Sequence, residues 1–180
     1  MDKLSKIIQE ANLPELIKPQ KTLPEKSKKK IETLLVLCPS PIDFLAKFNP
    51  DFCFERYEHL NKVETSLTSG MIKISDIQFA YNKETATDLF RAWLMNLSIY
   101  LGLDSDENVI KDISRQLYSE IFMLNLAEFT LFFSRLKKGY YGSMYGRFDG
   151  LMICIAAREY RQQRGLILSK MNEEDQNKIV

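Results

Sequence analysis

Residues 125–150 read NLAEFTLFFSRLKKGYYGSMYGRFDG, and the fold is read outward from them. Asn125-Leu126-Ala127-Glu128 has capping-box spacing. The Asn side chain accepts from a first-turn N–H, and the Glu three residues on reaches back to the cap. Phe129, Phe132, Phe133 and Leu136 then recur at helical spacing, and Lys137 and Lys138 suit the negative end of that helix. Gly139 stops it. Gly139, Gly142, Gly146 and Gly150 are four of only seven glycines in the chain, interleaved with Tyr140, Tyr141, Tyr145 and Phe148. Asp149 is a natural N-cap for a last helix, GLMICIAAREYRQQR, over 150–164. Two long helices are thus joined by one unusual glycine–tyrosine loop.

Toward the N-terminus the helical pattern continues. The acidic run Asp104-Ser105-Asp106-Glu107 lacks the glycine and terminal glutamate of a calcium loop and reads as the start of a helix packing Val109, Ile110, Ile113, Leu117 and Ile121. Asn82 caps a longer one. Ala86, Leu89, Phe90, Trp93, Leu94, Leu97 and Leu101 form its apolar stripe, and Gly102 ends it. MIKISDIQFAYN (71–82) fits a short strand or a helix capped by Ser75. Short helices are expected over 41–48 and 52–61, with a break at LTSG (67–70). A helix over 3–11, a linker over 13–30 and a helix from Pro24 to Leu37 complete the reading. The expected fold is all-α: a compact multi-helix bundle over 41–165, with a short strand or hairpin near 71–79 as a variant. A basic, proline-containing arm (1–40) precedes it and a frayed tail (166–180) follows.

The 180 residues are 45% hydrophobic and 27% charged, enough for one domain with a real core. With 25 Lys+Arg against 24 Asp+Glu, global charge names no partner, but its distribution is uneven. Residues 41–133 hold eight basic and fourteen acidic groups, whereas 134–165 hold seven basic and two acidic. A near-neutral average therefore hides an acidic body and a basic C-terminal module. No apolar run is long enough to span a membrane, and no secretory signal is recognisable in the first twenty residues. Three cysteines without close pairing fit buried, reduced thiols and a cytoplasmic location. A single histidine, His59, leaves no second imidazole for an acid–base pair and no zinc-ligand spacing. Dinucleotide and P-loop glycine motifs are absent. We therefore expect no enzyme, no cofactor and no metal.

The residues that invite a function are in the basic module. Lys137, Lys138, Arg147, Arg158, Arg161 and Arg164 suit phosphates, and Tyr140, Tyr141 and Tyr145 suit stacking on bases. Tyrosine and arginine equally dominate protein–protein hot spots, and the same residues also fit a plain helical corner with tyrosines plugging the core. These readings stay open on sequence.

The segment from about Glu84 to Arg164 resembles small uncharacterised proteins encoded by bacterial phages, plasmids and integrated elements, grouped as a domain of unknown function. The likeness rests on Leu124, Leu126, Ala127, Glu128, Phe129, Phe132, Phe133, Gly139, Tyr141, Gly142, Tyr145, Asp149, Gly150, Tyr160 and Arg164. It implies no established activity. The layout is also similar in outline to ATPase-free phage replication adaptors that recruit or load a helicase. The resulting expectation is a non-enzymatic binding module of a mobile element, acting in the host cytoplasm. It would contact DNA or a replication protein through the basic module. The alternative is a protein–protein adaptor, or an assembly or host-takeover component, that binds no nucleic acid.

Overall fold

The computed structural model describes residues 23–144, 146–171 and 175–176. Among them are nine helices and no named strand: α1 Glu25–Leu37, α2 Pro41–Lys47, α3 Pro50–Tyr57, α4 Val63–Leu67, α5 Ile74–Ala80, α6 Lys83–Leu101, α7 Glu107–Ile121, α8 Leu126–Lys137 and α9 Gly150–Lys170. The fold is all-α and compact, around one contiguous core.

The caps explain the long helices. Asn82 accepts from the Thr85 N–H and Asp106 from those of Asn108 and Val109, so α7 begins just past the expected Asp104–Ser105. Asn125 and Glu128 form the expected capping box, and Asp149 caps α9. Asn125 does more than cap. Its side-chain NH2 donates to the carbonyls of Ser66 and Leu67 at 2.9 and 3.2 Å, fastening the end of α4 to the start of α8.

α8 organises the core. From Leu126 to Phe133 every residue is buried, and the helix packs against α3, α4, α6 and α9. A helix that is apolar nearly all round belongs inside. Phe129 lies at the centre, its ring centroid 4.8 Å from Phe90, 5.0 Å from Trp93 and 4.9 Å from Phe133.

Several expectations need correction. The helix expected from Pro24 to Leu37 forms as α1, Glu25–Leu37, but it is no separate arm, for its Ile31 and Leu34, with Cys38 after it, are buried in the common core. α1 packs on α5, Lys30 Nζ reaches the Met71 carbonyl at 3.2 Å, and the Tyr81 hydroxyl donates to the Cys38 carbonyl. The tail gives way as well, since α9 continues to Lys170 with Ile167 against the core. The strand near 71–79 reduces to one antiparallel bridge between Lys73 and Asn125. Beyond it Ile74 and Ile77 bury at helical spacing, and Ser75 caps nothing. The helix over 52–61 starts earlier, at Pro50, and ends at Tyr57, and a helix over Val63–Leu67 was not foreseen. Val109 is 44% exposed, because the inward face of α7 begins at Ile110. The helix over 3–11 lies outside the described residues.

α7 and α9 run parallel and very close. Gly150 lies against Ile113, Cys154 Sγ is 3.8 Å from Gln116 Oε1, and Arg158 reaches Glu120. A Cβ on Gly150 would stand 2.6 Å from Ile113 Cγ1, too near for any carbon pair. Gly150→Ala is therefore expected to destabilise the protein by roughly 1–3 kcal/mol of overpacking strain, despite alanine's better helix propensity. Urea unfolding of the variant beside Gly165→Ala checks this, because a Cβ on Gly165 meets open space.

Candidate binding site

The glycine–tyrosine loop follows directly from how α8 ends. Gly139 (φ 68°) turns the chain out of the helix, its N–H bonding to the Leu136 carbonyl, and Gly142 (φ 101°) turns it again. Side chains disfavour that left-handed region, so these glycines are what lets the loop double back. Between them the two tyrosines part. Tyr140 points outward, 57% exposed, with the Arg135 guanidinium 4.7 Å from its ring centroid. Tyr141 turns toward Phe132, at 5.9 Å, and its hydroxyl is enclosed with no hydrogen-bond partner among the described residues. Burial pushes the Tyr141 phenol up to about 12, against the pull of Arg135. Of the aromatic residues proposed for stacking, then, Tyr140 is open to a ligand and Tyr141 mostly plugs the corner. Tyr145 lies outside the described residues. Phe148 is buried, and Arg147 is exposed with no described ion-pair partner.

The arginines of α9 are already engaged. Arg158 Nε and Arg161 Nη1 share the Glu120 carboxylate of α7 at 3.0 and 2.8 Å. Arg164 Nε donates to Glu128 Oε1 at 2.7 Å, and Glu128 is wholly buried while the Arg164 side chain is 12% exposed. The other Glu128 oxygen accepts from the Asn125 N–H at 3.1 Å. Burial raises the Glu128 carboxyl above its ordinary range, with Arg164 and the Asn125 N–H opposing. Tyr160, set among the α9 arginines and part of the family pattern, is fully buried between α8 and α9, its phenol driven well up by burial.

The two lysines at the end of α8 differ. Lys137 is held in an aromatic clamp, its Nζ 4.2 Å from the Phe54 centroid, 4.8 Å from that of Tyr100 and 2.7 Å from Asn96 Oδ1. Burial lowers its pKa. Lys138 is exposed beside Tyr140.

Beside Tyr140 an open groove of about 640 Å3 runs between α3 and α8. Phe54, Tyr57, Leu131 and Tyr140 give it apolar walls. Its charged lining is mixed, Glu55 and Glu58 from the α3 side against Arg135 and Lys138 from α8. Sequence reading did not find Arg135, Glu120, Glu128 as a counter-ion, or the two α3 glutamates. The ion-pair partners are 36 to 41 residues apart, and no local spacing signals them.

His59 is exposed by a shallow cleft with Phe52, Glu55 and Arg56. The three cysteines are buried free thiols, and burial pushes Cys53 up to about 12. Among the described residues no His/Cys/Asp/Glu group could hold a metal ion, and no helix is long and apolar enough to cross a membrane.

Fold and site together define a compact helical protein with an exposed tyrosine at the mouth of a mixed-charge groove. Residues 108–179, which begin one residue inside α7 and take in α8, the loop and α9, match a family of unknown function (DUF6633). No curated protein and no solved structure matches the chain.

Proposed function

We propose that the chain is a non-enzymatic adaptor that binds another protein through Tyr140 and the groove it borders. The observation that carries this reading is the mixed charge of the groove. Glu55 and Glu58 stand across from Arg135 and Lys138, with aromatic and aliphatic walls between. A phosphate backbone is repelled by such carboxylates, whereas a protein surface can match both signs. The α9 arginines support the same reading. Within the basic module Arg158, Arg161 and Arg164 already hydrogen-bond to Glu120 and Glu128, so Lys138 and Arg147 are its exposed cations without a described carboxylate partner. Tyr140, exposed and stacked on an anchored guanidinium, has the character of a hot-spot residue. The resemblance to proteins of phages, plasmids and integrated elements suggests the host cytoplasm and the replication or takeover machinery of such an element as the setting.

The test is site-specific photocrosslinking in the source cell. A photoreactive phenylalanine replaces Tyr140, with Glu32 on the exposed face of α1 as control. A discrete protein adduct at 140 and none at 32 is expected. With that protein purified, Tyr140→Ala should weaken binding by about 2 kcal/mol, roughly thirtyfold, while leaving thermal unfolding almost unchanged. Fluorescence anisotropy with single- and double-stranded DNA across a salt series provides the opposing arm. Salt-sensitive DNA binding that collapses on replacing Lys138 and Arg147 with Ala, without a protein adduct, would overturn the adaptor in favour of a nucleic-acid binder.

A further inference from the structure

A second and larger groove, about 720 Å3, lies between α6 and α7 and shares no lining residue with the one at Tyr140. Its charge is out of keeping with its surroundings. Residues 41–133 hold only eight basic residues among fourteen acidic ones, yet four of those eight, Lys83, Arg91, Lys111 and Arg115, line this groove. Its own acidic residues are Glu84 and Asp88. The lining itself carries more positive than negative groups, with Glu107 and Asp112 set at its rim against Arg91 and Arg115.

The groove has two unlike ends, because α6 and α7 run antiparallel. At one end Arg91 bridges Asp88 and Glu107 at 2.9 and 3.0 Å, fixing the wall. Lys111 there is exposed, and Arg115, 63% exposed, has only a 3.6 Å contact to Asp112. Both cations remain available to an incoming anion. At the other end lie Tyr118 and Phe122, ring centroids 6.1 Å apart and tilted 32°, with Phe122 40% exposed. The Tyr118 hydroxyl donates to Gln78 Oε1 at 2.8 Å, which fixes that amide and leaves its NH2 to donate. Lys111 to Phe122, the C-cap of α7, is eleven residue steps along the helix, roughly 16 Å at about 1.5 Å per residue.

We propose that this groove binds a nucleoside phosphate. The base lies against the exposed Phe122, beside the largely buried Tyr118 and within reach of the Gln78 amide, and the phosphates meet Lys111 and Arg115. Aromatic faces accept any base, and the guanidinium fork suits phosphate oxygens. Volume and length match a ligand of that size, since small-molecule sites commonly run about 300–1,000 Å3. The paired Asp88 carries its own counter-ion in Arg91, and Glu84 belongs to the aromatic end, near Lys83. The proposal is independent of the adaptor reading and adds a small-molecule site to it.

The test uses the full chain with the four ribonucleoside triphosphates offered singly, beside tripolyphosphate and a short single-stranded oligonucleotide, by calorimetry at low salt. At least one triphosphate is expected to bind saturably below about 1 mM, more tightly than tripolyphosphate. Lys111→Ala with Arg115→Ala should weaken it about tenfold, and Phe122→Ala or Phe122→Leu roughly fivefold. Saturation transfer should reach the base protons. Phe122→Leu keeps the apolar contact and guards against a folding artefact, and Tyr140→Ala should leave nucleotide binding unchanged. The proposal is overturned if no triphosphate binds, if tripolyphosphate binds as well as any of them with no effect at Phe122, or if the oligonucleotide binds far more tightly than every mononucleotide.

Discussion

Replacing Arg164 by Leu is expected to cost about 3–5 kcal/mol, a large part of the stability of an ordinary domain. Glu128 is wholly buried, and Arg164 is the cation that answers its charge at 2.7 Å. The Asn125 N–H and the charge of Lys73 do not replace it. Removing the guanidinium leaves a carboxylate in an apolar interior that must either stay charged at high cost or take up a proton. Glu128→Gln in the Arg164→Leu background should recover most of the loss, because an amide oxygen still accepts from Asn125 and carries no charge. The two single variants and the double form a cycle that urea unfolding can close. pH gives a second readout with a definite sign. Burial already raises the folded carboxyl above its ordinary 4.5, and without Arg164 that push is less opposed. Between the unfolded and the raised folded pKa the native state holds more protons than the unfolded state, so stability falls as pH rises. The deficit of Arg164→Leu should be smallest below about pH 4.5 and complete above the folded pKa. A deficit independent of pH would mean that Arg164 acts by packing alone.

Phe129→Ala is expected to be as damaging, by about 3–5 kcal/mol. Its ring is fully buried and meets Phe90, Trp93 and Phe133 edge-on, so truncation removes both its transfer energy and those oriented contacts. The space left behind is lined by aromatic faces that give water no partner, so it should stay dry. A small apolar guest such as benzene should then raise the variant's melting temperature and leave the wild type alone. Trp93, 5.0 Å from the lost ring and the chain's only tryptophan, reports the change by fluorescence.

The fold was readable wherever a pattern was local. Asn82, Asn125 and Asp149 were found as caps because a cap is written within four residues, and Gly102 and Gly139 marked ends for the same reason. The burial of α1 could not be read, because KSKKK looks like a solvated run until Ile31 and Leu34 are seen against α5. The candidate site was only half legible. Tyr140, Lys138 and Arg147 are exposed and chemically available, but Arg158, Arg161 and Arg164 meet carboxylates that chain topology alone brings near. Composition showed an excess of cations over 134–165 and could not show that acidic residues of α7 and α8 offset part of it. The positive groove was hidden for the converse reason, since its four cations are scattered through a segment whose average is acidic.

The enclosure of α8 also decides what can exist independently. The family match begins at residue 108, inside α7, yet α8 leans on α3, α4 and α6, all of which precede it. A polypeptide cut to 108–179 would bare Phe129 and Phe133 to water, and such an apolar surface seeks other chains before it seeks a shape. The early helices are thus the lid on a box whose contents are encoded later. Heat or denaturant should open lid and box in a single transition, with no half of the molecule surviving the other.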